Sequence, residues 1–198
     1  MILNLGCGDL PIKDAINVDV VKGKYVEVVC CLNKTPWQWS DNSVDGIYMI
    51  HSLEHFEDIY AVLKECHRIL KKGGFLYVQV PHSSGCAGIG SLGHCRTFHY
   101  HALSDVLCRS SYLFTQALFK EKLAEIRWWN IPRNKKHPYI KFATEKKDSA
   151  YPKLYKLMII PLSWLIQKLI NISPVTFERF WCYWVGGADE VVWMGEKI

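Results

Sequence analysis

The sequence predicts an α/β fold: a mostly parallel sheet closed by an antiparallel strand, with its first crossover helix short or absent. Three observations carry this. Met1–Val20 reads as a buried strand, a Gly6-Cys7-Gly8 turn and a second short strand ending at Asp19; no full helix fits in that gap, since a helix averages about eleven residues alone. Val44–Ile50, a helical period from about Ser52 to Leu70, and Phe75–Val80 make a strand, helix and strand, whose short connection implies a right-handed parallel crossover. Glu190–Glu196 reads as the closing strand, pairing antiparallel at the edge.

The first strands also describe a ligand site. A Gly-x-Gly turn straight after a strand lets backbone approach a ligand that a Cβ would block. A carboxylate ending the next strand can accept from both hydroxyls of a ribose. A dinucleotide fingerprint needs three glycines and an acidic residue about twenty residues further on, whereas Asp19 follows Gly8 by eleven. No helix N-terminus is then guaranteed for a pyrophosphate. The site suits a nucleoside without phosphates, S-adenosylmethionine (SAM) being the obvious one. A tight turn with no ligand is the rival reading of Gly-Cys-Gly.

Composition sets the bounds. With 198 residues, 49% of them hydrophobic, the chain suits one domain with a core that needs no cross-links. Its eight cysteines include no Cys-x-x-Cys pair, and the chain opens on a core strand, so reduced thiols and a cytoplasmic protein without a signal peptide are expected. The net charge of +5 is uneven: residues 120–156 hold eleven Lys/Arg against four Asp/Glu. That basic stretch either invites anionic partners or is a solvated surface.

In order, Tyr25–Cys30 is β-branched and apolar, a third strand; 34–42 holds Pro36 and Asp41-Asn42, turn chemistry. Val44–Ile50 is apolar as a central parallel strand should be. Leu53, Phe56, Ile59, Leu63, Cys66 and Leu70 recur at helical spacing, and Lys71-Lys-Gly-Gly74 closes that helix. Phe75–Val80 is the fifth strand, ended by Pro81.

Leu5-Gly-Cys-Gly8, Asn17-Val-Asp19, Asp41-Asn-Ser-Val-Asp45, His51-Ser-Leu-Glu-His55, Arg68-Ile-Leu-Lys-Lys-Gly-Gly74 and Val80-Pro-His82 stand in the order seen in class I SAM-dependent methyltransferases. The chain most resembles their type 11-like group, well over roughly Ile2–His101 and loosely beyond. The resemblance implies a Rossmann-like sheet, SAM as cofactor and methyl transfer as activity. It also implies that Gly6, Cys7 and Gly8 pass under the methionine and ribose part of SAM, that Asp19 takes the ribose hydroxyls, and that His51 borders the methionine end. Asn4 stands where many relatives carry an acidic residue. Cys31-Leu32 sits where relatives often carry an acid for the adenine amino group; cysteine accepts poorly, so adenine recognition is expected to lean on backbone at Leu32 and on apolar packing.

His51-x-x-Glu54-His55 is also the zinc signature of inverted-motif metallopeptidases. It falls at a strand–helix junction with no convincing third ligand in the sequence, so no metal is expected and a zinc hydrolase is the weaker alternative. A SAM-binding module without catalysis is the other. High-pKa oxygen acceptors need a base, usually His, and His55, His82 and His94 are the candidates; for each a loop-ordering role is the bland reading. His82, His94 and Arg96 lie in the glycine-rich stretch 81–101, whose glycines suggest a mobile lid over the acceptor. In relatives sharing this Val-Pro-His pattern the resemblance points to a saccharide or lipid-linked acceptor.

Beyond it, Ala102–Ser110 reads as a short helix. Phe119–Trp129 is ambiguous, its β-rich end and the resemblance favouring a sixth strand. The core is thus 1–131, followed by a basic loop over 132–152, whose few aromatics disfavour a nucleic-acid groove. Residues 153–198 hold an amphipathic helix and the closing strand. The helix at 154–172 is too interrupted, by Lys156, Pro161, Gln167 and Lys168, to cross a bilayer. It either packs on the core or a partner subunit, or lies in a membrane interface.

Overall fold

The computed structural model describes residues 1–111, 113–128, 153–182 and 187–198, with backbone alone for 153–160. The basic loop expected over 132–152 lies outside the described residues. Seven strands form one sheet: β1 (Ile2–Leu5), β2 (Ile16–Asp19), β3 (Val28–Val29), β4 (Val44–Ile50), β5 (Leu70–Pro81), β6 (Phe119–Arg127) and β7 (Glu190–Lys197). Their order is β3-β2-β1-β4-β5-β7-β6. The first five run parallel, and β7 is antiparallel to both β5 and β6. The expected α/β sheet is present, with turns alone between β1 and β2. β7, however, lies between β5 and β6 rather than at the edge.

The apolar spacing of 53–70 is shared between two elements. Leu53 and Phe56 bury their side chains from a single 3-10 turn, Leu53–His55, and α1 spans only Ile59–Ile69. Residues three apart share a face in either helix type, which hid the break. Asp58 sets the start: its carboxylate accepts from the N–H groups of Tyr60 and Ala61, an N-cap. Leu70 is fully buried and extended, so Lys71–Gly74 belongs to a bulged start of β5 instead of a helix terminus. β3 is also shorter than expected, because the chain turns over Gly23–Val26 and leaves little to pair at the sheet's edge.

The main core lies under α1 and the short α3 (Ala102–Leu107), around Leu3, Leu5, Ile47, Met49, Leu63 and Trp193. The opposite face is covered around Ile12 and Ala15 by the loop that replaces the first helix, against Ile50, Tyr77 and Val192. The long α4 (Lys153–Ile172) continues the sheet's far side. Gln167 and Asn171 bond the backbone N–H and C=O of Ile126 and the N–H of Trp128, closing polar groups that an edge strand otherwise offers to other chains. Gln167, an interruption in the apolar pattern, is what fastens the helix.

Candidate functional site

Crossing from β1 to β4 reverses the direction in which strands are added, and clefts form at such points beyond the strand carboxyl ends. Here the amides of Gly6 and Cys7 both donate to Val18 O, at 2.9 and 3.0 Å, tying the turn to the end of β2. Gly6 has φ +70°, and a Cβ there would lie 2.5 Å from Ser52 Cβ. Gly8 N donates to Asp19 Oδ2 at 2.8 Å and Val21 N to Oδ1 at 3.2 Å. Each carboxylate oxygen is thereby fixed and keeps acceptor capacity.

Gly6, Gly8, Asp19, Cys31, Leu32 and His51 line one cavity of about 350 Å³, within the usual range for small-molecule sites. His55 lines it as well, with Asn33, Ser52 and Phe56, which the sequence did not single out. Asn33 is two residues past the Cys31 position and carries the amide that Cys31 lacks. Ser52 Oγ is buried with no hydrogen-bond partner among the described residues.

Asn4 and Cys7 do not line this cavity. Asn4 is buried and donates to Leu10 O and Asn17 Oδ1, both at 2.9 Å, holding the helix-replacing loop on β2. Burial first, and Asp19 second, push the Cys7 thiol up to about 11, leaving it inert.

His51 has φ +50°, a conformation costing a non-glycine residue about 1–3 kcal/mol. Its Nε2 lies 2.9 Å from Glu190 Oε1, with Glu54 3.6 Å from Nδ1. Burial opposes its charge, but the bond to Glu190 and the negative charge of the nearby Glu54 outweigh that and raise its pKa to about 9.

The other histidines separate. His82 is buried away from the cavity: Ser84 N donates to its Nδ1 at 3.0 Å, so Nε2 carries the proton and donates to Glu178 at 2.8 Å. Glu178 also accepts from Tyr100 N, so this pair fastens the glycine-rich stretch to the helical turn at Phe177–Trp181. Part of that stretch forms α2 (Cys86–Gly90), where Gly88 is pressed against His82: a Cβ would stand 2.1 Å from His82 O. Close packing explains that glycine without a hinge. His94 and Arg96 line a second cavity of about 550 Å³ with Tyr60, Thr97 and His99. His55 and His94 meet edge to face, ring centroids 4.8 Å apart, at the wall between the two cavities.

Residues 11–78 match a family model described as a methyltransferase domain. No curated protein matches at a significant level. Among solved structures, a SAM-dependent methyltransferase from Archaeoglobus fulgidus is 15% identical with a TM-score of 0.55, over 99% of this chain and 85% of that one. One from Thermotoga maritima, described as a possible histamine N-methyltransferase, is 17% identical with a TM-score of 0.54, over 100% and 82%. The [4+2]-cyclase SpnF is 15% identical with a TM-score of 0.51, over 99% and 74%.

Proposed function

We propose, for a chain with the class I SAM-dependent methyltransferase fold and a methyltransferase-domain match, that it methylates a hydroxyl oxygen of a small polar acceptor, a saccharide or its lipid-linked form. The family match and the fold imply S-adenosyl-L-methionine as cofactor. The residues of the smaller cavity fit it. A turn whose first glycine admits no Cβ, a fixed carboxylate with acceptor capacity at the end of β2, and an unpartnered Ser52 hydroxyl converge there. Asp19 would hold the ribose, Gly6 and Gly8 the chain beside it, and Leu32, Phe56 and the Asn33 amide the base.

When bound, the cofactor supplies a methyl group already activated on a sulfonium. The chain's own task is alignment and the exclusion of water. Residues of the 550 Å³ cavity, His94, Arg96 and Thr97 among them, offer donors and acceptors suited to a polar acceptor. His82 is engaged by Glu178 and Ser84, so proton removal from a hydroxyl falls to His55 or His94. The fixed Asp19 carboxylate is the observation that carries the reading. Calorimetric titration with S-adenosylhomocysteine tests it: wild type should bind in the micromolar range, and Asp19→Ala should lose about 1.5–3 kcal/mol, the range for hydrogen bonds to charged groups. Equal affinity would remove Asp19 from the site.

A lipid-linked acceptor gains support from α4. Leu162, Leu165, Leu169 and Ile172 are exposed along one side while Ser163, Gln167 and Ile170 are buried. No described helix is long and apolar enough to cross a membrane, but an outward apolar stripe beside the exposed Lys168 suits an interface. Binding to anionic liposomes should fall with salt and fall further in Leu165→Glu/Leu169→Glu; absence of binding would leave a water-soluble acceptor.

A further inference from the structure

Glu54 is 1% exposed, yet neither of its oxygens accepts a hydrogen bond from any described residue. Its nearest cationic candidates are His51 Nδ1 at 3.6 Å and His94 Nε2 at 4.0 Å, both beyond hydrogen-bond length. His94 Nδ1 is also buried with no hydrogen-bond partner among the described residues. Buried polar groups left this way call for a missing partner. One ligand atom each from Glu54, His55 and His94 lies within 4.8 Å of the others.

We propose that Glu54, His55 and His94 form a binding site for a divalent transition-metal ion, zinc being the best fit, in the wall between the two cavities. Two imidazoles and one carboxylate are the donor set of open four-coordinate zinc sites, whose fourth position takes water or a substrate oxygen. Magnesium and calcium favour oxygen-only shells and suit it less. Zinc holds such ligands at about 2.0–2.2 Å, so the three groups must draw together by roughly 1 Å around the ion.

The surroundings are built for this. His55 Nδ1 lies 2.8 Å from Gly93 O; donating there, it leaves Nε2 as the ligand, and such carbonyl partners fix the tautomer of ligating histidines. Cys95 N donates to Glu54 O at 2.8 Å, so the segment carrying His94 is bonded to the segment carrying the other two. The zinc signature read from the sequence paired His51 with His55. The structure turns His51 to Glu190 instead and supplies His94 as the third ligand.

The proposal does not rest on methyl transfer; with an ion bound His55 and His94 would be ligands, so the base role proposed above belongs to the ion-free chain. The test uses the full chain after chelator treatment, titrated with cobalt(II) and then zinc. One equivalent of cobalt should give a visible absorption band, without the thiolate charge-transfer band that the eight free cysteines could contribute, and zinc should bleach it. His94→Ala and Glu54→Gln should each weaken binding by more than the roughly 10–100-fold that an outer-shell loss costs. Zinc should raise the melting temperature of wild type and of neither variant. The ion-free melting transition shows whether each variant folds, and His94→Ala, at a loop residue less buried than Glu54, keeps the test open if Glu54→Gln does not. No stoichiometric binding, a thiolate band, or equal affinity in His94→Ala would overturn the proposal.

Discussion

At Gly6 two constraints meet: a left-handed backbone and Ser52 in the place a Cβ would occupy. Gly6→Ala should cost about 1–3 kcal/mol in stability, the range for such strain, and weaken S-adenosylhomocysteine binding. Thermal melting and titration check both, and restoring space with Ser52→Gly should recover only part of the loss, because the φ penalty stays. This glycine and Asp19 were legible in the sequence because a turn between two short strands leaves few alternatives. Asn4 and Cys7 sit among the same residues, but the alternation of β1 turns Asn4 into protein and the turn after it buries Cys7, which proximity in sequence cannot tell. Asn33 and Ser52 gave no motif signal, since each joins the site through a loop's course rather than a spacing. His94 as a partner of Glu54 depends on how the glycine-rich stretch returns.

Among elements, α1 shows how one arginine joins several pieces. Arg68 donates to Glu65, to Asp41, and to the carbonyls of Trp37 and Trp39, while Glu65 also accepts from Trp37 N at 2.6 Å. Arg68→Ala should cost about 3 kcal/mol, the low end for breaking a buried pair, as the guanidinium is partly exposed; chemical denaturation measures it. The Arg68 guanidinium holds the Glu65 carboxyl below its ordinary range. Burial raises the Glu178 carboxyl, but the bond from His82 and the Tyr100 amide outweigh it, and it too ends low. A depressed carboxyl contributes stability in full above its unfolded value, near 4.5, and loses it as pH falls through the folded value. Denaturant midpoints should therefore hold steady down to about pH 5 and decline below about 4.5. The decline should be shallower in Arg68→Ala, from a lower starting point.

For the whole molecule, the parallel half was readable because apolar runs, a helical period and a short gap before Asp19 agree with one another. The position of β7 was not, because a strand's composition does not say which neighbours it takes. Nor was the split between the 3-10 turn and α1, where one period serves both. The helix at 153–172 was ambiguous for a physical reason: it has two apolar sides, one fastened to β6 by Gln167 and Asn171, the other outward.

The place of β7 bears on how a nascent chain can assemble. β5 pairs with β7 along Phe75–Pro81, and β6 has β7 as its sheet neighbour. While residues 190–197 are still inside a ribosome, β6 has no strand to join among the described residues and the apolar edge of β5 stands open. The parallel half can condense as it emerges, whereas the rest must wait for Trp193 to arrive and fill the middle. Such a delay exposes strand edges to other chains, so a ribosome-bound intermediate of this protein should be a natural client for a chaperone that covers apolar strands.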